Sequence, residues 1–252
     1  MFRHDLTSQH YTKVYFSCFL LSFLSGSVNA GAFMASGSFV THVTGFATLF
    51  GVDLIKGNFV AAMGILSVPF YFLLGAMISA YFIDGKIHEG KRPSYSFIMS
   101  LVCFCLLVVT LAGELKYFGI FGKEYNVKQD YFFLMLLCGA SGIQNAAITT
   151  FSGSVVRTTH LTGVTTDLGI GLIRVFFQKL SGEKHIREIR SNWLRVITII
   201  AFILGSIVGA YSFLKLHYLG FLIPALIAAY AAYLSRDKQS ILDQNNAPRQ
   251  RL

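Results

Sequence analysis

SGSVNAGAFMASGSF at residues 25–39, followed by THVTGFATLFG at 41–51, returns later in the chain as SGIQNAAITTFSGSV at 141–155 and THLTGVTTDLG at 159–169. Seven of fifteen positions match in the first pair and six of eleven in the second, where composition alone predicts about two over such a length. LGAMISAY at 74–81 also resembles LGSIVGAY at 204–211. Half of the chain is therefore a copy of the other half.

The copied unit is a membrane unit. The 252 residues are 54% hydrophobic and 13% charged, with a mean hydropathy of +0.59, whereas a soluble domain carries about 25% charged residues. Crossing about 30 Å of hydrocarbon takes roughly 20 apolar residues. Runs of that kind predict spans over 14–35, 59–83, 96–113, 131–151, 194–214 and 216–234. The first run also has the look of a signal peptide, with Lys13 ahead of it and Val28-Asn29-Ala30 as a cleavage-like site. Its recurrence as SGIQNAA at 141–147, where no signal peptidase acts, favours a retained helix.

A repeat of three crossings places its copy upside down in the bilayer, with the halves related by an axis in the membrane plane. Between the first and second span of each half lies a shorter segment, 39–54 and 158–177. Flanked by Gly37, Gly45, Gly153 and Gly163, these read as re-entrant or broken helices, which must be buried or line a cavity. The expected fold is thus an all-α polytopic membrane protein with two homologous repeats, each of three transmembrane helices plus one short helix, in inverted arrangement. An eight-segment parallel repeat is the alternative; the shortness and polarity of 39–54 favour six. The boundaries that follow are an amino-terminal segment 1–13, repeats 14–113 and 131–234, a connecting loop 114–130 and a polar tail 235–252, disordered from Asp237.

The net charge of +9 would suggest nucleic acid in a soluble chain, but here the positive-inside rule accounts for it. Arg174, Lys179, Lys184, Arg187, Arg190 and Arg195 crowd one loop, and Arg236, Lys238, Arg249 and Arg251 mark the tail. Both termini are expected on the cytoplasmic side, with the loop carrying Lys116, Lys123 and Lys128 outside.

Polar residues inside a membrane protein belong in the bundle interior, a cavity or an interface. The candidates are Asn29, Thr41, His42, Thr44 and Gly45 in the first half, and Gln144, Asn145, Thr159, His160, Thr162, Gly163 and Asp167 in the second. Repeat symmetry pairs Asn29 with Asn145, His42 with His160 and Thr44 with Thr162, and predicts that they converge around one axis as donors and acceptors for a small polar solute or a dehydrated ion. Small and hydroxylated residues equally serve to hold helices together. Asp167 beside His160 suggests a proton relay, although Leu49 takes its place in the first half. Arg157 has no counterpart and reads as a snorkelling interfacial residue. Asp53 and Asp84 fall at span ends and read as solvated. Cys18, Cys103, Cys105 and Cys138 lie in spans without C-x-x-C spacing. No H-x-x-x-H or cysteine cluster suggests a metal, and no hydrolase, metalloprotease or nucleotide-binding motif suggests an enzyme or a cofactor.

SGSVNAGAFMASGSFVTHVTG, GIQNAA and TTHLTG resemble the YoaK-type family of uncharacterised bacterial inner-membrane proteins over nearly the whole chain. That family carries aspartate-alanine where this chain has Asn29-Ala30, and T-G-N where it has Thr44-Gly45-Phe46; the second half matches better. The resemblance implies a bacterial inner membrane and a permease-type label, without a substrate. The function expected is a permease for a small polar solute with a midplane site between the repeats, lipid bilayer as its surroundings and room for a homo-oligomer. A sensor, scaffold or assembly protein is the alternative.

Overall fold

A computed structural model of the chain describes residues 11–123, 127–177 and 182–245. Residues 1–10 of the amino-terminal segment, Lys179 and the end of the tail from 246 lie outside them.

Eight principal helices follow in order among the described residues: α1 (Tyr11–Ser36), α2 (Val43–Ile55), α3 (Phe59–Ala80), α4 (Tyr95–Glu114), α5 (Val127–Phe151), α6 (Leu161–Phe177), α7 (Glu183–Leu216) and α8 (Leu222–Asn245). A π-helical turn, Tyr81–Gly85, and a last turn, Lys86–His88, extend α3. Among the described residues five helical segments are long and apolar enough to cross a membrane. The last of these, Glu183–Arg236, is 54 residues long and doubles back at a 3-10 turn, His217–Phe221, where His217 has φ +48° and ends α7. The sequence reading ran its sixth span from Leu216 instead. A second difference is the tail: α8 continues as helix to Asn245. No glycine or proline interrupts it before Pro248, and its polar residues tolerate helix well.

Each long helix buries one stripe. On α4 it is Ile98, Met99, Val102, Leu106, Val109, Thr110 and Gly113, spaced three and four apart as one helical face requires. Its other face keeps Phe104 and Leu111 exposed, as do Met77 on α3 and Ile207 on α7. Large apolar side chains facing outward on α3, α4 and α7 suit hydrocarbon and would be a liability in water.

α1 packs mainly along α7, α3 along α5, and α4 along α8. Glycines set the first two crossings. A Cβ on Gly26 would strike the Phe202 carbonyl, and one on Gly205 the Phe23 carbonyl. A Cβ on Gly142 would strike the Phe72 carbonyl, and one on Gly75 the Gly139 carbonyl. With lipid as the solvent, apolar burial no longer drives association, so close backbone approach through small residues does more of it.

The helix ends fall into two groups. At one end Gly122 N–H donates to the Ala35 carbonyl (3.3 Å), Phe121 meets Phe213, His217 and Tyr218, and Phe133 meets Phe221. These contacts gather the ends of α1 and α7 with the starts of α5 and α8. At the other, Thr150 Oγ1 donates to Asp84 Oδ2 (2.9 Å), Tyr95 packs on Phe151 and Tyr15 OH donates to the Arg190 carbonyl (3.1 Å). These gather the ends of α3 and α5 with the start of α4, and the start of α1 with that of α7. They are called here the Phe121 end and the Asp84 end.

Candidate functional site

The two polar motifs are built alike. Gly37 (φ +70°) and Gly153 (φ +66°) take the left-handed conformation that terminates α1 and α5, and the chain then folds back along the helix it has just left. Thr41, buried, donates from its backbone N–H (3.3 Å) and from Oγ1 (2.9 Å) to Asn29 Oδ1. Thr159, also buried, donates from its N–H to Asn145 Oδ1 (3.4 Å). Each asparagine thus accepts from the strand of chain that leads into the next short helix, and pins that helix to the body.

The histidines begin those short helices. His42 is the N-cap of α2, and its Nε2 shares a hydrogen bond with Thr44 Oγ1 (2.8 Å). A Cβ on Gly45 would meet His42 Nδ1 at 3.0 Å, and one on Gly163 would meet His160 Nδ1 at 2.8 Å. The T-H-x-T-G spacing is therefore a steric rule: the ring folds over the residue three positions on, and glycine leaves it room. Both imidazoles are exposed, as are Thr44, Thr162 and Asp167. Neither a hydrogen bond nor an ion pair joins Asp167 to His160 among the described residues.

The motifs do not meet. Asn29 lies near the carboxyl end of α1, at the Phe121 end, and Asn145 near that of α5, at the Asp84 end. α2 rests on α3, and α6 on α7. The expected convergence of the two sets around one axis fails because helices running in opposite directions carry their carboxyl ends to opposite ends of the bundle. What does lie between α1 and α5 is Gln144, 2% exposed, whose Nε2 donates to the Leu21 carbonyl (2.5 Å) and to Ser25 Oγ (2.9 Å).

A cavity of about 490 Å³ opens at the Phe121 end, lined among others by Met34, Phe46, Leu49, Asp53, Ile65 and Lys123. It has the mixture of apolar wall and few polar groups that small-molecule sites show. Asp53, read from sequence as a solvated loop residue, is on α2 and contributes to this wall. Phe46 is part of this lining and is 3% exposed.

Two further features escaped the sequence reading. Asp84 is held by Thr150 within a π-helical turn, a distortion common at functional sites. Glu188, Asn192 and Arg195 are half-buried or buried on α7 and joined to one another. Their spacing of four and three along a helix was a usable signal, obscured because the charged stretch before Leu194 reads as a loop by hydropathy.

A protein family described as "Protein of unknown function (DUF1275)" matches residues 17–234. The chain belongs to the DUF1275 family. No curated protein and no solved structure matches it. The stretch shared with DUF1275 runs from within α1 to within α8, so the asparagine tethers, both short helices and the cavity all fall inside it.

Proposed function

We propose that the chain is a permease for a small polar solute in a bacterial inner membrane, of the YoaK type, built from two inverted repeats. The observation that carries this reading is the exchange of helix partners between the halves. Sequence alignment makes α5 the counterpart of α1 and α7 that of α3. Gly26 against Phe202 then has its copy in Gly142 against Phe72, and Gly205 against Phe23 in Gly75 against Gly139. Such reciprocity is what a twofold relation between the halves requires.

Direction supports inversion. α1 starts at the Asp84 end and α5 at the Phe121 end. α2 joins the end of α1 to the start of α3 at the Phe121 end, and α6 joins α5 to α7 at the Asp84 end, so both are re-entrant and each repeat has three crossings. Lys86, Lys91, Arg92, Arg174, Arg187 and Arg190 favour the cytoplasm for the Asp84 end, which puts the start of α1 and the end of α8 on that side. Inverted repeats with short helices that enter and leave on one side are a transporter design, and the cavity beside α2 is the natural entry for the solute.

A non-transporting role has one specific observation in its favour: Asn29 and Asn145 spend their acceptors on the chain itself, as helix glue would. The test is a thermal-shift screen of the purified protein against amino acids, sugars, nucleobases, organic anions and metal ions, beside Leu49→Trp, which fills the cavity. A compound that stabilises the parent and not the variant supports the permease and names its solute class. Absence of any such compound, with no uptake into proteoliposomes, favours the structural role.

A further inference from the structure

The cavity at the Phe121 end has a counterpart position at the Asp84 end, and there charged side chains stand. Asp53 on α2 and Ile65 on α3 both line the cavity. The repeat alignment places Gly171 at the position of Asp53, and Glu188, Asn192 and Arg195 at those of Asn58, Ala62 and Ile65.

In the second half these residues interlock. Arg195 Nη1 donates to Glu188 Oε1 (3.1 Å) and to Asn192 Oδ1 (2.6 Å). Arg174 on α6 brings its Nη1 to 3.8 Å from Glu188 Oε2. The side chains of Arg195 and Glu188 are only 11% and 17% exposed. Gly171 on α6 is buried against them: a Cβ there would strike Asn192 Oδ1, with Arg195 Nη1 and Glu188 Oε1 close behind. α6 is thus clasped to α7 through a glycine that admits the charged side chains, whereas α2 and α3, although in contact, turn Asp53 and Ile65 toward a cavity.

We propose that Glu188, Asn192 and Arg195, with Arg174 and Gly171, form a latch that holds the Asp84 end shut, so that this structure is the state open at the Phe121 end. The proposal rests on the inverted-repeat reading. In such a design one half moves against the other when access changes sides: the latch releases α6, and the cavity beside α2 closes. Among the described residues Arg195 Nε is buried without a hydrogen-bond partner, an unmet donor that water entering an opened gap would satisfy. The half-buried ion pair is a suitable gate. It is held by geometry while dry, and hydration competes with it once water reaches it.

Val164 on α6 is 3% exposed, whereas Leu49 on α2 lines the cavity and is 46% exposed; they report the two ends. In the full chain with Cys18, Cys103, Cys105 and Cys138 replaced by Ala, Val164→Cys and Leu49→Cys are each labelled with a water-soluble maleimide, with and without Glu188→Gln. The expected result is a labelling rate at 164 raised about fivefold or more, the size of an ordinary coupling between sites, and a rate at 49 lowered in the same variant. Arg174→Gln, which removes only the outer, more exposed cation, should shift both rates the same way by less, and guards against loss of the fold. Unchanged rates at both positions would overturn the latch and leave the permease to its ligand screen. A rise at 164 alone would overturn the coupled exchange, because the ion pair would then only brace α6.

Discussion

Gly26 on α1 lies so close to the Phe202 carbonyl on α7 that any side chain there would collide with backbone. Backbone cannot swing aside as a flexible side chain can, so Gly26→Val must push two helices apart. Overpacking of this kind costs typically about 1–3 kcal/mol, and Gly142→Val should behave alike at the other crossing. Gly51→Val, where a Cβ would meet nothing within 4 Å, should fold normally. Thermal midpoints and monodispersity in detergent compare the three.

The tether from Thr41 to Asn29 uses the asparagine only as an acceptor. Asn29→Ala leaves a buried N–H and hydroxyl without a partner and should lower stability by about 1–2 kcal/mol. Asn29→Asp retains an oxygen in the same place and should come closer to the parent. Loss of stability in Asn29→Asp equal to that in Asn29→Ala would show that the amide NH₂ matters instead.

Gln144 bridges α5 to α1 with a buried donor. Gln144→Leu removes it with little change in volume and should cost about 1 kcal/mol, the net value of such a bond. Gln144→Glu sets a carboxylate against the Leu21 carbonyl and should be the more damaging of the two, since a buried charge without a partner is expensive. Unfolding midpoints rank them.

Opposite placement of the two motifs is open to a direct check. A single cysteine at His42 or at His160, both exposed, should react with a membrane-impermeant maleimide from opposite faces of an oriented vesicle. Labelling of both from one face would favour the eight-segment parallel repeat.

Asp84 accepts a hydrogen bond from Thr150 and ties the end of α3 to that of α5. Asp84→Asn keeps an acceptor and should hold the contact, whereas Asp84→Ala should lose about 1 kcal/mol. Comparing the two by thermal midpoint separates the hydrogen bond from the charge.

Sequence alone determined the elements and showed the likeness between the two polar motifs. Hydrophobic length gives the long helices because a bilayer has a fixed thickness, and Gly37 and Gly153 mark the ends of α1 and α5 because a left-handed residue is needed there. T-H-x-T-G announces itself twice because a ring must fold over a glycine. Tertiary structure decided who meets whom. Asn29 and Asn145 look like partners in the alignment, yet each binds the chain just beyond its own helix, since a hydrogen bond is set by position in space and not by correspondence between copies. Spacing marks Glu188, Asn192 and Arg195 as one helix face, but gives no sign that Arg195 lies against Gly171 of α6 while Asp53 lines a cavity. That difference depends on what stands across from each on the neighbouring helix, which local sequence does not encode.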